Sequence, residues 1–137
     1  MALTKPRKKV LFGAANSVVI TTGSNNISDL ITTDDTCIEA SITLKADNAG
    51  TPVLGDTVDV YILKSSGDPD GAAVADEFAS ADLSHATFLG QIDTFVTDPG
   101  IIDIPFPVVP ANSKLYAINN SAGSVTFSAV IEEMRSA

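Results

Sequence analysis

Tryptophan is absent, histidine and cysteine occur once each, as His85 and Cys37, and the other aromatic residues are six Phe and two Tyr in 137 residues. A single cysteine excludes an intrachain disulfide and any zinc site built from cysteines. A single histidine excludes histidine-rich metal centres and leaves His85 as the one imidazole that a Ser-His-Asp or Cys-His arrangement could use. Cys37 opens an alternating apolar run and reads as a small, half-buried hydrophobe, not a nucleophile. His85 reads as a polar residue entering a strand. The scarcity of aromatics weighs against a sugar-stacking platform and against a base-stacking surface. No glycine pattern matches a dinucleotide fingerprint or a phosphate loop. No apolar run approaches the roughly 20 residues of a membrane-spanning helix. Residues 10–15 fall short of the hydrophobic core of about 7–15 residues in a secretory leader. The expectation is a chain with no catalytic residues, no cofactor and no bound metal.

Basic charge is scarce and unevenly placed. Lys5, Arg7, Lys8 and Lys9 supply half of the eight basic residues, and all seventeen carboxylates lie at or after Asp29. Residues 10–137 therefore carry a formal charge of about −13, which repels polyanions, while the first nine residues attract them. With Pro6 discouraging a helix, residues 1–9 read as an extended basic arm outside a single domain spanning 10–137. Nucleic acid and membranes are not expected partners.

What is abundant is alternation with a period of two, the mark of strands with one buried face. From Cys37 to Ala46, Ile38, Ala40, Ile42 and Leu44 alternate with Glu39, Ser41, Thr43 and Lys45. Val58, Val60 and Ile62 repeat the pattern, as do Val125, Phe127, Ala129 and Ile131 in a long last strand. Further strands are expected at 10–12, 18–22, 87–95, 101–106 and 114–119. Turn residues separate these runs at Asn25-Asn26, Asp34-Asp35, Asp47 to Gly50, Asp98-Pro99-Gly100, Pro110 to Asn112 and Asn119 to Gly123. Seven or eight short strands at this spacing predict an all-β, antiparallel, jelly-roll-like sandwich. Pro105-Phe106-Pro107 marks a strand end or an edge.

Residues 65–85 break the alternation. Val74 and Phe78, four apart among alanines, predict a short helix over Ala72 to Ala81, and insertions of this length are often functional. Asp68-Pro69-Asp70-Gly71, with Asp76 and Glu77 nearby, has the oxygen-rich opening of a calcium loop. Pro69 intrudes, however, and Gly71 comes two positions early, so a solvated acidic loop explains these residues better. Glu132 and Glu133 are adjacent on a strand, point to opposite faces and read as solvated charges. The Asn-x-Ser sequons at Asn26 and Asn119 coincide with expected turns.

Laid out in this way, the chain resembles the decoration or cement proteins of tailed bacteriophage virions, small β-sandwich or jelly-roll trimers on capsid surfaces. The resemblance spans roughly residues 10–137. It rests on the lack of a cysteine framework, the abundance of Ala, Thr, Ser, Val and Asp, the hairpin entry Pro110 to Ala117, and a last strand ending at the C-terminus. It implies a structural virion protein, assembled in the host cytoplasm, whose homotrimer binds the major capsid protein lattice. The expected contact residues are Lys5, Arg7, Lys8 and Lys9 of the arm and Asp68, Asp70 and Phe78 of the insertion. Alternatives are a tail or fibre receptor-binding module and a secreted adhesin-like subunit.

Overall fold

In the computed structural model the alternating runs form strands, and residues 3–31, 37–64, 86–106 and 113–136 are described. Ten strands lie among them: β1 (Leu3–Thr4), β2 (Arg7–Lys9), β3 (Val18–Ile20), β4 (Asn25–Ile27), β5 (Cys37–Asn48), β6 (Thr57–Lys64), β7 (Ala86–Asp93), β8 (Gly100–Phe106), β9 (Ser113–Asn119) and β10 (Val125–Ser136). The helix expected over Ala72 to Ala81 lies outside the described residues.

Strands β3 to β6 pair antiparallel with β10 to β7 in reverse order: β3 with β10, β4 with β9, β5 with β8, and β6 with β7. This is one long hairpin, rolled so that successive strands fall in alternate sheets. One sheet contains β3-β10-β5-β8 and the other β4-β9-β6-β7. The result is a jelly-roll sandwich of eight strands.

The period-two pattern sends one side of each strand between the sheets. Ile42, Leu44 and Ala46 of β5, Val125, Phe127 and Ile131 of β10, Val58, Val60 and Ile62 of β6, and Leu115 and Ala117 of β9 are buried there. Phe127 meets Phe12 edge to face, with ring centroids 5.7 Å apart. At one margin β7 and β8 approach closely, most tightly at Gly100, where backbone as well as side chain crowds the glycine. A Cβ on Gly90 would stand 2.8 Å from Ile102 Cδ1, and one on Gly100 would stand 2.5 Å from Ile92 Cγ2.

Four expectations need correction. Residues 10–12 are not a strand: Phe12 and Ala15 bond to each other across a two-residue turn, Gly13-Ala14, whose φ angles of 57° and 67° are those of a tight hairpin. Asn25 and Asn26 belong to β4; the chain turns before them, at Gly23, whose φ is 71°. The basic segment 1–9 is not a separate tether over its described length, because β1 and β2 pair with β10. Together with β3 they tile one edge of that twelve-residue strand, satisfying main-chain groups that would otherwise invite another chain. Finally, Glu133 is not solvated, as described below.

Candidate functional site

The basic segment sits where its charge is balanced. Pairing of β2 with β10 sets Arg7 opposite Glu132 on the outer face of the sheet, and Arg7 Nε donates to Glu132 Oε2 at 2.9 Å. Glu133 faces inward and is 0% exposed. Its Oε2 accepts from Arg135 Nε at 2.6 Å, and its Oε1 lies 3.5 Å from Lys8 Nζ. A carboxylate this deep is tolerated only when paired, and strand β2 supplies one partner from outside β10. Lys5 lines a shallow groove with Glu39, Ser41, Pro105 and Glu132, and Lys9 is exposed. Farther along the same outer face the Thr43 hydroxyl donates to Asp103. Asp68, Asp70 and Phe78, like Asp76, Glu77 and His85, lie outside the described residues.

Among the described residues no group of three or more His, Cys, Asp or Glu side chains is arranged to hold a metal. Cys37 is half-buried, its Sγ donating to the Glu39 carbonyl at 3.4 Å. Asn119 is fully buried and donates to the Ile20 and Gly123 carbonyls, which leaves no access to its sequon.

A second surface lies at the end of the sandwich where four loops meet: 21–24, 49–56, 94–99 and 120–124. Its keystone is Asp56, buried at 3% exposure. Asp56 Oδ2 accepts from Val53 N at 2.9 Å within its own loop and from Asn48 Nδ2 at 3.3 Å, while Oδ1 accepts from Ala122 N at 2.9 Å in the β9–β10 loop. Its carbonyl accepts from Thr94 N at 3.1 Å, which joins the β7–β8 loop. The N–H groups of Val53 and Ala122, in that order, hold the Asp56 carboxyl below its ordinary value, against the opposing effect of burial; the Asn48 amide assists. Asp98 Oδ1 accepts from Asn48 N at 3.0 Å, and Asp93 Oδ1 accepts from the N–H groups of Phe95 and Val96.

Above this network two loop tips project apolar side chains into solvent. Leu54 is 84% exposed and Val53 50% in the β5–β6 loop; Val96 is 77% exposed and Phe95 49% in the β7–β8 loop. The Thr94–Asp56 bond ties the bases of the two loops together. Sequence reasoning missed this surface because alternation assigned Phe95 to a strand end. The available signal was two adjacent apolar pairs enclosed by turn formers, Pro52-Val53-Leu54-Gly55 and Phe95-Val96 before Asp98-Pro99-Gly100.

No family model matches the chain, and no curated protein is significantly similar to it in sequence. Among solved structures, the C-terminal CBM6, a carbohydrate-binding module, of LamC, a marine laminarinase from Zobellia galactanivorans, superposes with a TM-score of 0.50 at 12% identity. The match covers 92% of this chain and 98% of the other. At that identity the likeness concerns the sandwich fold alone.

Proposed function

We propose that the chain is a structural virion protein without catalytic activity, which decorates a viral capsid and stabilises it by binding the major capsid protein lattice. The observation that carries this reading is the loop end: a rigid sandwich presents preordered apolar tips to solvent, as an attachment subunit requires. Preordering matters because each loop that need not be ordered on binding leaves more of the contact energy as affinity. Many copies on a lattice then turn modest single contacts into firm attachment.

Sedimentation of the full chain with shells assembled from a tailed-phage major capsid protein tests the proposal. Saturable binding at a fixed ratio to capsid subunits is expected, with a rise in the shell's melting temperature. Failure to bind shells would overturn the reading.

A second reading, a receptor-binding module for glycans, draws on the exposed ring of Phe88, which meets Tyr61 edge to face at 5.4 Å on the outer face of the other sheet. Glycan-array binding that is lost in Phe88→Ala would favour this alternative over decoration.

A further inference from the structure

We infer that the Val53-Leu54 and Phe95-Val96 tips are the docking element of this chain, and that they enter an apolar socket with a basic rim on a partner protein. The inference deepens the attachment proposed above and rests on it.

Large apolar side chains on loop tips face water at a cost that burial in a partner recovers, roughly in proportion to the area removed from water. Here the exposure is built into the fold. The two loops are bonded to each other through Thr94 and Asp56, and each has a carboxylate bracing its own turn, Asp56 on Val53 N and Asp93 on the N–H groups of Phe95 and Val96. The tips therefore cannot fold back onto the sandwich without breaking these hydrogen bonds.

Charge identifies the occupant. From Asp47 to Asp59 and from Gly90 to Gly100 there are five aspartates, at 47, 56, 59, 93 and 98, and no Lys or Arg; residues 20–26 and 119–125 contain no charged residue. Asp47, Asp93 and Asp98 are exposed on the strand ends and loop that carry the apolar tips. An acidic rim opposes an anionic lipid surface and complements Lys or Arg around a protein pocket, which makes the contact selective and salt-sensitive.

The same capsid-protein shells test this with the full-length chain. Wild type should bind, and more weakly as salt rises. Leu54→Ser combined with Phe95→Ser should weaken binding at least tenfold with an unchanged melting temperature, since both side chains are exposed. Asp47→Lys should weaken binding several-fold and flatten its salt dependence. Wild-type binding matched by the double variant would overturn the docking assignment while leaving decoration intact, whereas wild type that never binds shells would remove the decoration reading on which it rests. Binding to phosphatidylcholine–phosphatidylserine vesicles that disappears in the double variant would overturn the choice of a protein partner.

Discussion

Asp56 connects loops that lie far apart in sequence, and its carboxylate makes the link to Ala122. Its folded pKa is below the ordinary carboxylate value because the Val53 and Ala122 N–H groups, helped by Asn48, favour the anion. For a depressed acid the sign is fixed: the contribution to stability is fully present above the unfolded pKa of about 4 and is lost as pH falls through the lower folded value. Thermal melts from about pH 5 to about pH 2 should therefore show a steeper loss in wild type than in Asp56→Asn, which starts less stable because it lacks the charge. Parallel curves for the two proteins would remove Asp56 from this role. Asp29 works similarly on a smaller scale: its carboxylate accepts from Gly13 N and Ala14 N at 2.9 Å each. It thereby supports an alanine at positive φ, a conformation costing about 1–2 kcal/mol for a residue with a Cβ. Neither role is visible in the sequence, where Asp29 and Asp56 look like any other aspartates near turns.

At the scale of strands, the margin between β7 and β8 is tightly packed. Gly100 pairs with Ala46 of β5 while its Cα faces Ile92 of β7. Gly100→Ala would bring a Cβ to 2.5 Å from Ile92 Cγ2 and 3.2 Å from the Asp93 carbonyl. Overpacking of this kind costs about 1–3 kcal/mol. Gly50→Ala is the control, because its nearest neighbour, Asn48 Oδ1, would stand at an ordinary 3.8 Å. Urea unfolding should separate the two variants clearly; equal midpoints would show that the margin can relax. The sequence marked Gly100 as a turn residue, but it opens strand β8 and pairs with Ala46, and its tight constraint comes from a strand met only after folding. Strand β4 was missed for a related reason. Three residues beginning Asn25-Asn26 carry no alternation, and they become a strand because β9 offers them a partner.

For the whole molecule, the N-terminal segment is the informative test. As a solubilising tether it could be removed without consequence for the body. As β1 and β2 it covers the edge of β10 and supplies Lys8 to buried Glu133. Deleting residues 2–9 should lower stability by about 2 kcal/mol, less than full disruption of a buried ion pair because Arg135 remains. Hydrogen exchange along residues 130–136 should accelerate, and the uncovered edge should promote self-association. An unchanged melting temperature and unchanged exchange would restore the tether.

The amino-acid sequence alone determined which face of each long strand is buried, since a period of two assigns every second side chain to the core once one is placed. It also limited the chemistry, because one His and one Cys cannot be increased by folding. Only the tertiary structure decided which strands lie side by side, that a run of cations becomes an edge strand, that inward Glu133 is met by Lys8 and outward Glu132 by Arg7, and that four apolar residues stay in water at one end. The physical reason is range. Alternation is a local property of the chain, whereas edges, buried ion pairs and loop-end surfaces depend on partners as far apart as Lys8 and Glu133, which meet only when the long hairpin rolls up.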